Sequence, residues 1–180
     1  IFDMRGFYAD ERVDGKIWNL NNFIHKKIYK YFKNKEKEFL QFSDYTISLT
    51  ESGKKEILNW KLPNQSPIKV IPCCTDKKLF NLKNIKNIRA DIGFDKDDFI
   101  ISYVGSIGTW YMLDEMLDFF KCLQIKKPNA KFFFISRDEP QLILDKVKNK
   151  KIDSRLIKIY PSSREMMPSY IALSDISIFF

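Results

Sequence analysis

Apolar positions along the chain fall into two kinds of segment. Short unbroken runs, FIISYV at 99–104, KFFFIS at 131–136, LIKIYP at 156–161 and DISIFF at 175–180, are separated by longer stretches of different rhythm. In those, apolar residues recur every three or four positions, which predicts helices. The stretch 109–125 places Leu113, Met116, Leu117, Phe120 and Leu123 on one face. PQLILDKVKNK carries proline where a first helical turn accepts it. REMMPSYIALS follows the spacing Ser162-x-x-Glu165, which reads as a capping box opening a helix. Unbroken apolar strands suit sheets covered on both faces, as parallel sheets flanked by helices are.

The first half alternates in the same way. After IFD comes a stretch read as a polar loop, MRGFYADERVDG, and then a long helical pattern. Leu20, Phe23, Ile24, Ile28, Tyr31, Phe32, Phe39 and Phe42 form its apolar face, with Lys26, Lys27, Lys30, Lys33, Lys35 and Lys37 outside. His25 stands where the two faces meet. DYTISLT is a strand, ESGKKEILNW a helix and IKVIP a strand, while CCTDKKLFNLKNIK has no clear period and reads as a linker. The expected architecture is α/β, with two doubly wound, Rossmann-like parallel-sheet domains at 1–80 and 81–180, both incomplete. The chain opens at IFDMRG without an initiator Met and closes on an apolar strand, so a fragment cut at both ends is expected.

Composition narrows the class. The 180 residues are 44% hydrophobic and 30% charged, which excludes a disordered chain. No apolar run approaches the roughly 20 residues that span a bilayer. Cys73, Cys74 and Cys122 lack metal-ligand spacing, so reduced thiols, a cytoplasmic setting and no metal site are expected. The net charge of +8 is mostly lysine spread through the chain. It admits nucleic acid or an anionic membrane as partners without selecting either.

Candidate chemistry gathers at strand ends. VGSIGTW joins a strand to a helix, and Gly105, Ser106, Ile107 and Gly108 would offer backbone amides and a helix N-terminus to a phosphate. The spacing is neither a dinucleotide fingerprint nor a P-loop, and a tight turn needing positive φ explains the glycines equally. Arg137 follows KFFFIS and suits bidentate phosphate binding, or an ion pair with Asp138 or Glu139. Ser162 follows LIKIYP on the same expected rim. Near the first strand, Asp3, Arg5, Asp10, Glu11 and Arg12 stand beside Phe7 and Tyr8. That mixture suits a polyhydroxylated ligand or a self-paired ion network.

The motifs FDMRGFYADE, SDYTISLTESGKKEIL, IKVIPCCTDKKLFN, ISYVGSIGTWY and EMMPSYIALSDISIFF resemble, along nearly the whole chain, glycosyltransferases of the GT-B fold, family 4. Ile71, Pro72, Asp76 and Phe80 keep the spacing of that family's interdomain stretch v-I-P-n-g-v-D-x-x-x-F. The resemblance implies two domains facing a cleft, the second holding a nucleotide-sugar and the first a sugar, polysaccharide or lipid-linked acceptor. It implies metal-independent transfer with retention, no cofactor beyond the donor, and a diphosphate against Gly105, Ser106, Ile107 and Gly108, with Arg137 and Ser162 nearby. Arg5, Asp10 and Glu11 fall on its acceptor side. Many members carry G-R-x-x-x-x-K-G in the glycine loop, where this chain has Ser106 and Tyr111, so the phosphate cation is expected from Arg137. Asp3 stands where many members have His. The family's paired glutamates would lie beyond Phe180, leaving the fragment inactive alone. Two other readings are an anionic membrane surface resting on residues 26–37 and a nucleic-acid-binding or other nucleotide-binding α/β module. Since no nucleic-acid reading motif is present, nucleic acid is not the expected partner.

Overall fold

The computed structural model describes residues 1–108, 111–161 and 163–179. The chain divides into two compact units, Ile1–Thr75 and Asp76–Phe180. The interdomain motif residues Asp76 and Phe80 thus stand in the second unit.

The first unit is a three-stranded parallel sheet, β1 (Phe2–Met4), β2 (Thr46–Ser48) and β3 (Ile68–Val70), in that spatial order. Between the strands run α1 (Tyr8–Asp14), α2 (Phe23–Phe42) and α3 (Glu51–Asn59). The stretch read as a polar loop therefore contains a helix, α1. Ala9 is its buried residue, and Arg12 lies over the Tyr8 ring at 4.9 Å. Asn22 caps α2 by accepting from the Ile24 and His25 amides, and Thr50 caps α3 by accepting from Gly53. His25 Nδ1 accepts from the Asn19 amide at 3.0 Å.

The periodicity gives α2 its helix but not its orientation. Only Glu36 and Leu40 are buried on it, whereas Phe23, Ile24, Tyr31, Phe39 and Phe42 are exposed. Lys33, expected on the outer face, points inward instead. It bonds Asp10 at 2.7 Å and Glu36 at 2.8 Å and lies 4.2 Å from the Trp60 ring centre. The core of this unit is small, Met4, Leu40 and Ile57, with Phe2, Phe7, Trp60 and Ile68 packed on it.

The second unit is a four-stranded parallel sheet in the order β6-β5-β4-β7. Its strands are β4 (Phe99–Val104), β5 (Ala130–Ile135), β6 (Ile157–Tyr160) and β7 (Ile176–Ser177). The connecting helices are α4 (Leu113–Lys126), α5 (Pro140–Asn149) and α6 (Met167–Ala172). The apolar runs are unbroken because both faces are covered. Ile101, Tyr103, Phe132 and Phe134 pack against α4 and α5 through Leu117, Phe120, Ile143 and Val147. Ile100, Phe133 and Ile135 meet Ile88, Ile92 and Phe94, with Tyr170 of α6 beside them. Phe132 and Phe134 stack at 4.0 Å.

The chain lays β5 and β6 on one side of β4 and returns to place β7 on the other, the reversal beside which open α/β sheets bind ligands. The attachment of β7 is polar. Asp175 accepts from the Ile100 amide at 2.7 Å, and Ser102 contacts Ser177 at 2.8 Å and Ser174 at 2.6 Å. Two helix starts differ from expectation. α4 begins at Leu113 rather than 109, after Met112 at φ +44°, and α6 begins at Met167. Glu165 therefore lies in a turn ahead of α6 and not in its first turn; Ser162 lies outside the described residues.

Candidate functional site

At the carboxyl ends of β4 and β5, the second unit has a cleft of about 550 Å³. Its lining is apolar at Phe80, Val104, Ile135 and Met167 and polar at Gly105, Ser106, Ser136, Arg137 and Arg164. The structure thus brings Gly105, Ser106 and Arg137 together. Ile107 and Gly108 continue the same loop; Ser162 falls outside the described residues.

Each wall has a local cause. Asp76 accepts from the Lys78 amide at 2.9 Å and the Leu79 amide at 3.3 Å, folding a turn that carries Phe80 to the cleft. Ser136 Oγ accepts from the Asp138 amide at 3.2 Å and turns the chain sharply after β5. Gly105 has φ +150°, a conformation that side-chain-bearing residues avoid, and a Cβ there would lie 2.8 Å from the Tyr103 hydroxyl. That hydroxyl donates to the Ser106 carbonyl at 2.9 Å. Burial pushes the Tyr103 phenol up to about 12, with Tyr111 and Asp138 adding to the shift.

The glycine loop spends part of its donor capacity within the fold. The Gly105 amide donates to the Ile135 carbonyl at 3.2 Å, and the Ile107 amide donates to the Asp138 carboxylate. Asp114 and Glu115 occupy the first turn of α4, where negative charge already complements the helix dipole, although Asp114 also pairs with Lys146 at 2.6 Å. Beside the cleft, Glu165 is held below the usual carboxylate range. Its own backbone amide and the Ser163 hydroxyl do most of this, and Arg164 and Arg137 reinforce it.

In the first unit, Asp3 and Arg5 pair at 2.9 Å on the surface, and Arg5 is raised chiefly by that hydrogen bond. They share with Glu11 a hollow of about 320 Å³. Asp10 accepts from Tyr29 at 2.8 Å and from Lys33 at 2.7 Å. With Glu11, Lys33 and Trp60 it lines a second hollow of about 590 Å³. Burial works against the Lys33 charge, but the hydrogen bonds it donates to Asp10 and Glu36 outweigh it and raise its pKa. For Asp3, Arg5 and Asp10, the self-paired ion network is the arrangement present.

Sequence reading missed Arg164, because it lies in the stretch taken as helix. The spacing Asp76-x-x-x-Phe80 signalled Phe80 without its role as a wall. Nothing in the sequence distinguished Tyr103 from its strand neighbours. No helix among the described residues is long and apolar enough to cross a membrane.

No protein-family profile matches the chain, and no curated protein matches it. Solved structures do. Anabaena Alr3699/HepE, crystallised in complex with UDP and glucose, aligns with 98% of this chain at a TM-score of 0.66 and 11% identity. The pneumococcal O-GlcNAc transferase GtfA, in complex with UDP and GlcNAc, aligns with 76% of this chain at a TM-score of 0.55 and 13% identity. This chain spans 44% of the HepE chain and 25% of the GtfA chain. At such identities the likeness is one of fold, two parallel α/β sheets of the Rossmann-like GT-B type.

Proposed function

We propose that the chain is part of a glycosyltransferase and that its second unit holds the nucleotide-sugar donor. The observation that carries this reading is the cleft at the ends of β4 and β5. Its lining combines apolar residues with two arginines, Arg137 and Arg164. A cleft of about 550 Å³ falls within the size range of small-ligand sites. HepE and GtfA, solved with UDP and a sugar, support it at the level of fold. In transfer, the departing nucleoside diphosphate gains negative charge, and cations fixed beside it stabilise that change. Titration of the chain with UDP in a calorimeter tests the reading. Saturable heat is expected, and its absence sinks the assignment.

Finer points belong to the same proposal. Membership of family 4, retention of configuration and metal independence rest on the motif resemblance, and proton NMR of the product anomer in EDTA tests the last two. The catalytic carboxylates belong to a longer protein, consistent with the chain's spanning under half of HepE. The acceptor, a sugar, polysaccharide or lipid-linked sugar, falls to the first unit, where Arg5, Asp10 and Glu11 line hollows. A cytoplasmic protein resting on anionic lipid is supported by exposed Phe23, Ile24 and Phe42 beside exposed Lys26, Lys27 and Lys30 on α2. Flotation with anionic, but not neutral, liposomes is the expected result.

A further inference from the structure

We propose that Arg137 and Arg164, which follow two adjacent strands, together form a side-chain clamp for a pair of linked phosphates, and that the glycine loop stands beside this clamp rather than wrapping the anion. The inference rests on the donor reading above and assigns its diphosphate to residues of this chain.

Three observations turn the anion away from the loop. The Gly105 amide is engaged by the β5 backbone, and the Ile107 amide by the Asp138 carboxylate. A phosphate at Ile107 would have to displace a negative charge that is covalently tethered nearby. The helix that follows starts at Leu113 and already has Asp114 and Glu115 in its first turn.

Three more observations point the anion to the arginines. Arg137 leaves the end of β5 and Arg164 follows β6, the neighbouring strand, yet both line the same cleft. Planar guanidinium groups match phosphate oxygens bidentately, so two of them reached from adjacent strands suit two linked phosphates better than one. Phe80, Val104, Ile135 and Met167 in the same lining lower the local dielectric and strengthen those contacts. The Glu165 pKa is lowered chiefly by its own amide and the Ser163 hydroxyl, and the further lowering by Arg164 and Arg137 accords with positive potential at this place.

The test compares the unaltered chain with Arg137→Ala, Arg164→Ala and Arg164→Lys, each checked for unchanged near-UV circular dichroism. UDP and inorganic pyrophosphate are titrated by calorimetry, and uridine is followed by saturation-transfer NMR. Each alanine variant is expected to weaken UDP and pyrophosphate about ten- to hundredfold, the usual worth of hydrogen bonds to a charged group. Uridine binding should be unchanged. Arg164→Lys, which keeps the charge and loses the fork, is expected to lose several-fold, and it keeps the test decisive if the alanine variant does not fold. Folded variants that keep the original UDP affinity overturn the clamp and leave the donor reading standing. Equal losses for UDP and uridine overturn it too. An unaltered chain that binds neither UDP nor pyrophosphate overturns both.

Discussion

Gly105 is the position at which one methyl group would be most costly to this site. At φ +150° its backbone is open to glycine and closed to nearly everything else, and the Tyr103 hydroxyl occupies the space a Cβ needs. Gly105→Ala is expected to destabilise the second unit by about 1–3 kcal/mol and to weaken UDP binding, both readable from chemical denaturation with and without ligand. Tyr103 itself gives a pH signature. Its pKa is raised to about 12 in the folded chain, so its contribution is intact below the ordinary tyrosine value near 10 and is lost as pH climbs toward 12. Denaturation midpoints measured across that window should fall, and Tyr103→Phe should flatten the fall. Asp153 behaves oppositely. The Arg155 side chain, then its amide, holds its carboxyl at about 2, so its contribution is present above the usual carboxylate range and is lost as pH drops toward 2. In carbon-detected NMR titration, Arg155→Ala is expected to raise the Asp153 pKa toward the ordinary value without reaching it, because the amide at 155 still donates.

At the scale of elements, the second unit was readable because burial on both faces writes itself as unbroken apolar runs. FIISYV and KFFFIS could hardly be anything but interior strands, and both are. The first unit was less readable, for two physical reasons. YADERVD forms α1 with Ala9 as its only buried residue, too small an apolar signal for periodicity to register. In α2 the face turned inward carries a polar network, Tyr29–Asp10–Lys33–Glu36, while aromatic residues stand in solvent. Apolar spacing identified the helix and misassigned its faces. Replacement of Lys33 by Met is therefore expected to be costly, about 3 kcal/mol, since it leaves the buried Glu36 with the Ala9 amide but no cation. Phe42→Ser on the exposed face should change stability by no more than about 0.5 kcal/mol. Of the candidate site, the glycine loop and Arg137 were legible as strand-end residues. Arg164 was not, because the helix after β6 begins later than the S-x-x-E spacing implied.

On the scale of the whole molecule, the two units differ in how much core each possesses. Among the described residues, the second buries the rings of Tyr103, Phe120, Phe132, Phe133 and Phe134 completely, while the first has Leu40 and Ile57 as its largest fully buried side chains. Amides of β4 and β5 are thus expected to exchange with deuterium far more slowly than those of β1–β3, as mass spectrometry of peptic fragments will read out. One strand should depart from that ranking. β7 is fastened to β4 by a short backbone ladder, serine hydroxyls and the Asp175 carboxylate, and Ile176 remains 43% exposed. Contacts of that kind uncover little apolar area when they part, so β7 should fray with a shallow denaturant dependence while the rest of the sheet stays shut. The Ile178 amide, which donates to the Ser102 carbonyl at 2.8 Å, would report this local unzipping as exchange that hardly quickens with added urea.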